Sequence, residues 1–213
     1  MRIGVEIELG GRTTERTDRV LREMGWSRTY DASIRTRYHP IELRSKVYKV
    51  ESLGDLTQIV NDYKKALSTL ENVEVNSSMG IHIHVSSVPF HRLYERKVWN
   101  EFKRRFKALA EDDELTAEEK VLIRSRFNNR YCKFTYSKVT DDRYRAINYR
   151  PAYQRHRTIE FRAFPSTTNL KLFKKFLKLV VELLREFNDR QVFSQKVAES
   201  SKAEEVKIVE LVV

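Results

Sequence analysis

Cysteine is nearly absent. Cys132 is the only one among 213 residues, so no internal disulfide can form, and its Tyr131-Cys132-Lys133 setting marks neither a nucleophile nor a cysteine-based metal site. Glycine and proline are sparse, at 6 and 4, which excludes collagen-like and low-complexity chains. No apolar run reaches the ~18 residues of a membrane span. Met1-Arg2-Ile3-Gly4 passes straight into a strand pattern without a signal-peptide apolar region, so an intracellular, cytoplasmic protein without a membrane partner is expected. A Gly-x4-Gly-Lys-Ser/Thr phosphate loop is missing, as is any Ser/His/Asp or Cys/His arrangement for nucleophilic catalysis.

What is abundant is charge on an otherwise ordinary globular background. With 40% hydrophobic and 33% charged residues the chain can bury a core, and its length suits one domain over residues 1–213. The formal charge of +11 favours anionic partners. ATP, phosphorylated or carboxylate-rich small molecules and nucleic acid all satisfy it, and charge does not choose among them.

Period-two alternation marks the strands. Ile3, Val5, Ile7 and Leu9 alternate with Gly4, Glu6 and Glu8; Ile81, Ile83 and Val85 alternate with His82, His84 and Ser86; Ile159, Phe161 and Ala163 alternate with Thr158, Glu160 and Arg162. Residues 37–50 read as a strand interrupted by Pro40, and 143–150 as another. Helical spacing covers Thr17 to Met24 with Gly25 as C-cap, and Leu56 to Leu70. It returns in His91 to Glu111, then after the Thr116-Ala117-Glu118-Glu119 capping box to about Arg126, and from Asn169 to about Phe187. The tail from Val206 is β-prone. Strands and helices mix without regular βαβ alternation, which predicts an α+β fold with a largely antiparallel sheet.

Three strand segments each keep an apolar face and place Glu6/Glu8, His82/His84/Ser86 or Glu160/Arg162 on the other. One such segment is ordinarily a strand with its polar face in water. Three together collect carboxylates and imidazole, the donors that suit Mg²⁺ or Mn²⁺, and Glu42 in Ile41-Glu42-Leu43-Arg44-Ser45 adds another carboxylate. Arg143, Arg145, Arg150, Arg155, Arg157 and Arg162 cluster around the last strands, where guanidinium forks suit phosphate oxygens. Taken alone, that cluster suits nucleic acid equally well.

The order of these pieces resembles a known family. Gly4-Val5-Glu6-Ile7-Glu8, Trp26 with Asp31-Ala32-Ser33, Glu42-Leu43-Arg44-Ser45, and Ser78-Met79-Gly80-Ile81-His82-Ile83-His84-Val85-Ser86 follow one another as in the amidoligases, relatives of glutamate–cysteine ligase and glutamine synthetase. Arg143-Tyr144-Arg145-Ala146-Ile147-Asn148, Arg157-Thr158-Ile159-Glu160-Phe161-Arg162 and Thr167-Thr168-Asn169 resemble that family's closing motif, so the likeness spans about residues 1 to 187. Asn148 stands where glutamine synthetase tends to have another arginine.

The resemblance implies a curved, glutamine synthetase-like antiparallel sheet with helices outside and a concave face holding ATP and divalent ions. By position it implies that Glu6, Glu8, Glu42, His82 and Glu160 bind metal, with His82 near the β-phosphate. It implies as well that Arg143 and Arg162 hold phosphate and that Glu160 works beside them in catalysis. His84, Ser86, Arg145 and Arg157 complete the expected nucleotide-binding set. The implied activity is an ATP- and Mg²⁺-dependent carboxylate–amine ligase working through an acyl phosphate, on small-molecule or peptide carboxylates and amines. Two rival readings stand beside it, the first with the carboxylates incidental and the second with the same carboxylate and histidine ligands. One is a basic nucleic-acid-binding protein with Tyr131, Phe134, Tyr136, Tyr144, Tyr149 and Tyr153 interleaved among arginines. The other is a metal-dependent hydrolase or nuclease without ATP.

Overall fold

The computed structural model describes residues 1–86, 95–136, 142–153 and 157–188. Its centre is β1 (Arg2–Arg12), whose Ile3, Val5, Ile7 and Leu9 are almost fully buried on one face. β1 pairs on one side with β3 (His39–Arg44) and on the other with β6 (Gly80–Ser86). β4 (Tyr48–Lys49) and β5 (Glu71–Glu74) pair with its two ends. β2 (Ser27–Thr29) lies outside β3; beyond β6 come β8 (Ile159–Pro165) and β7 (Ile147–Asn148), giving the order β2-β3-β1-β6-β8-β7. All pairings between these strands are antiparallel, so the fold is α+β around an open antiparallel sheet.

The strand expected over 37–50 breaks elsewhere than at its proline. Pro40 sits inside β3 opposite Gly10, beyond the reach of β2, so its missing N–H leaves no ladder bond unmade. The break comes at Ser45, whose hydroxyl accepts from the Val5 amide and donates to the Lys46 carbonyl. The expected strand 143–150 contracts to Ile147–Asn148, because the Asn148 side chain accepts the Arg150 amide and a 3-10 turn takes over at Arg150–Tyr153.

Among the described residues, five α-helices accompany the sheet. α1 (Glu15–Met24) opens on a Thr14/Thr17 capping box and closes on Gly25, whose φ of 70° is the left-handed conformation that favours glycine. α2 (Leu56–Leu67), α3 (Glu95–Leu109) and α4 (Ala117–Ser125) follow, the last with the expected Thr116/Glu119 capping box. α5 covers 170–188. The His91 start foreseen for α3 and the β-prone tail lie outside the described residues. Phe102 and Phe106 of α3 meet Phe164 of β8 at ring distances of 5.8 and 5.7 Å, and Phe176 of α5 stacks on Phe164 at 4.7 Å. Tyr63 of α2 joins them through Phe173 at 4.9 Å. α3 and α5 thus cover the apolar face of the sheet, which leaves the other face to Glu6, His82 and Glu160. No helix among the described residues is long and apolar enough to cross a membrane.

Candidate functional site

Antiparallel register assembles the polar face. Glu6 lies directly opposite His82 on one side and Arg44 on the other, Glu8 opposite Glu42, and Glu160 opposite both His84 and Asn148. Directly paired residues share a face, so period-two alternation on each strand and pairing between strands bring these groups together. Between β6 and β8 the register shifts: Ile83 opposes Phe161, but Ile81 opposes Phe164, so the two residues Arg162 and Ala163 face the single residue His82. This bulge keeps Glu160 and Arg162 on the polar side and lets both Ala163 and Phe164 enter the core.

Glu6, Glu8, Glu42, Arg44, His82, Asn148, Glu160 and Arg162 line a cavity of about 560 Å³. Glu8, Glu42, His82 and Glu160 are buried, each no more than 7% exposed. His82 is the hub: its Nδ1 lies 3.3 Å from Glu6 and 3.7 Å from Glu160, and its Nε2 lies 3.7 Å from Glu8. The buried Nε2 of His84 stands 3.5 Å from Glu6 and 3.8 Å from Glu160 and makes no hydrogen bond. Donor atoms of Glu6, His84 and Glu160 all lie within 4.8 Å of one another, and so do those of Glu8, Asp31 and Glu42.

Cations and amide donors balance the acids. Arg44 sits 2.6 Å from Glu42 and 3.7 Å from Glu6; Arg162 pairs with one oxygen of Glu160, and Asn148 donates to the other at 2.7 Å. The Gly80 amide donates to Glu8 at 2.6 Å. Burial opposes ionisation of Glu6, but His82 and His84 outweigh it and hold the carboxyl far below its ordinary range. Burial also opposes ionisation of Glu160, and His82, Arg162 and His84 again prevail, so its pKa is lowered. At Glu8 burial wins over His82, the Gly80 amide and Arg126, and the pKa rises. Burial disfavours the cationic form of His84, yet Glu6 and Glu160 raise its pKa.

Among the residues singled out in the sequence, Glu6, Glu8, Glu42, His82, Glu160, Arg143 and Arg162 line the cavity, and His84 borders it through Glu6 and Glu160. Comparison with known proteins found no matching family model, no matching curated protein and no matching solved structure. Three expected members lie off the cavity. Ser86 shares the polar face of β6 but ends the strand opposite Arg2, at the far end from Glu8. The Arg145 guanidinium turns to Thr135 and towards Asp142. Arg157 is exposed, with a positive φ of 48° just before β8, so the alternation of that strand does not extend to it.

The structure adds Asp31, Arg126 and Asn148 to the walls. Asp31 had the Trp26…Asp31-Ala32-Ser33 segment as a signal, and Asn148 its place in the closing motif. Nothing in sequence pointed to Arg126, which arrives from the end of α4.

Proposed function

We propose that this chain is an ATP- and Mg²⁺-dependent carboxylate–amine ligase whose sheet is of the glutamine synthetase-like kind. The observation that carries the reading is one cavity holding five carboxylates, two imidazoles at its centre and edge, and arginine guanidiniums on its walls. The donor chemistry fits a divalent ion: two triplets of oxygen or nitrogen donors lie within 4.8 Å, and the buried His84 Nε2 has no hydrogen-bond partner. Glu6, His84 and Glu160 would hold one ion and Glu8, Asp31 and Glu42 another. Bound there, the ions would neutralise phosphate charge and polarise phosphoryl oxygens.

The chain's own residues supply position and electrostatics. Arg162, whose buried Nε has no partner, and the exposed Arg143 grip anionic oxygens on the migrating phosphoryl group. Asn148 and Arg162 hold the two oxygens of Glu160 in place. The substrate carboxylate attacks the γ-phosphorus and ADP leaves with the bridging oxygen; the amine then attacks the acyl carbon, phosphate leaves and the nitrogen loses its proton. No side-chain nucleophile is needed. Incubation with ATP, Mg²⁺ and a pool of small carboxylates and amines, read by mass spectrometry, should give an amide and ADP in equal amounts. ATP left intact by every pair would remove the reading.

A second reading draws on the Tyr131–Tyr144 pair in the cavity wall, whose rings lie 5.5 Å apart under the guanidiniums of Arg130 and Arg143. Such rings suit stacked bases, as in a single-strand-binding protein. Tight, salt-sensitive retention of oligonucleotides without ATP turnover would favour it.

A further inference from the structure

One arginine of the cavity wall is bound to backbone alone. Arg126 opens the 3-10 turn after α4 and is only 3% exposed, and among the described residues it makes no ion pair. Its Nε donates to Ala163 O at 3.1 Å, one Nη to Arg162 O at 2.9 Å, and the other to Met79 O at 3.4 Å. Arg162 and Ala163 are the two residues of the β8 bulge, and both of their carbonyls accept from this one guanidinium. Met79 immediately precedes β6.

We propose that Arg126 is a positioning residue, whose guanidinium caps the carbonyls of the β8 bulge and of the turn before β6 and so fixes Glu160, Arg162 and Glu8 in the cavity. The register explains why this matters: a strand slipped by one residue presents its other face, which here would send Glu160 and Arg162 towards Phe102 and Phe106 and bring Phe161 into the cavity. The bulge is the only described irregularity in the β6–β8 ladder, and its two residues are the polar Arg162, which faces the cavity, and Ala163, which is buried in the core beside Phe164. The same guanidinium lies against Gly80, where an added Cβ would stand 2.9 Å from one Nη, and the Gly80 amide is the donor that holds Glu8 at 2.6 Å. The Arg126 guanidinium is therefore linked to Glu8 through Gly80. A fork of donors in one plane is what three separate carbonyls require, and a lysine ammonium does not reproduce it.

Two variants test this. Arg126→Lys keeps the charge without the fork; Gly80→Ala keeps the arginine but pushes its flexible end aside. In both, the Arg162 amide, now bonded to Ala146 O at 2.8 Å, should exchange with solvent at least ~10-fold faster. Amides of α2 and α5 should keep wild-type rates. The second readout rests on the ligase reading of the cavity: Mn²⁺ affinity, titrated with the metal alone, should fall about 10-fold or more, as for other groups that orient ligands. Unchanged exchange at Arg162 together with unchanged Mn²⁺ affinity in Gly80→Ala overturns the proposal, and that variant decides it if Arg126→Lys does not fold. A wild-type protein that binds no Mn²⁺ would sink the ligase reading, while the exchange measurement would still decide the role of Arg126.

Discussion

Glu6 of β1 lies directly across the ladder from His82 of β6, its carboxylate 3.3 Å from the imidazole Nδ1, and the same imidazole lies 3.7 Å from Glu8 and from Glu160. One imidazole thus stands among three acids from three different places on two strands. Arg44 and Arg162 pair with Glu42, Glu6 and Glu160, while Glu8 and Asp31 add further negative charge to the same cavity, which leaves it receptive to a divalent ion.

Mg²⁺ or Mn²⁺ should therefore stabilise the protein. At about 100 times the dissociation constant, binding to the native state alone adds ~2.7 kcal/mol, which is a rise of several degrees in melting temperature. The Glu6→Gln/Glu8→Gln double variant should lose most of that rise. Calorimetric scans with and without metal check it, and an equal rise in the variant would place the ions elsewhere.

Arg162 pairs with Glu160 and stands 13% exposed on the cavity wall. Replacing it by lysine keeps a charge but removes the planar fork, so ATP-dependent turnover should drop ~10-fold or more while the circular dichroism and melting temperature stay near wild type. Turnover within about twofold of wild type would reduce Arg162 to a simple ion-pair partner.

Phe102 is fully buried between Phe106, Phe161 and Phe164. Phe102→Ala should cost ~3–5 kcal/mol, through lost burial and the cavity left behind. Urea unfolding measures it; a loss under about 1 kcal/mol would mean that α3 does not seal the apolar face as described.

A pH dependence follows from Glu101 on α3. Hydrogen bonds from Arg104 outweigh desolvation and, with Arg105, hold its pKa at about 2 against an ordinary 4.5. The folded pKa is depressed, so the stabilisation is complete above pH 4.5 and fades as pH falls towards 2. The group is partly exposed, which limits the effect to ~1 kcal/mol or less. The stability difference between wild type and Glu101→Gln should be constant from pH 7 to 5 and shrink below 4.5. A difference that grows on acidification has the wrong sign.

Much of the polar face was legible in the sequence because period-two alternation is a property of single strands. Glu6 and Glu8, His82 and His84, Glu160 and Arg162 announced themselves in that way. Pairing distance is not written in alternation, and so Ser86, with the right parity, ends up opposite Arg2 and away from the acids. β2 and β5 went unseen because Ser27-Arg28-Thr29 and Glu71-Asn72-Val73-Glu74 are short, mostly exposed segments in which Val73 alone packs on the core, too little for an alternation, and they pair with β3 and β1. The bulge that places Ala163 and Phe164 both inward breaks the alternation locally, and its support by Arg126 spans 36 residues of chain. Such long-range capping leaves no periodic trace.

The most direct test of the account is calorimetric titration of a non-hydrolysable ATP analogue into the protein with and without Mg²⁺, repeated with Glu160→Gln. The account predicts saturable one-to-one binding that needs Mg²⁺ and weakens ~10-fold or more in the variant. No binding in the presence of Mg²⁺, or binding that neither Mg²⁺ nor Glu160→Gln alters, would contradict it.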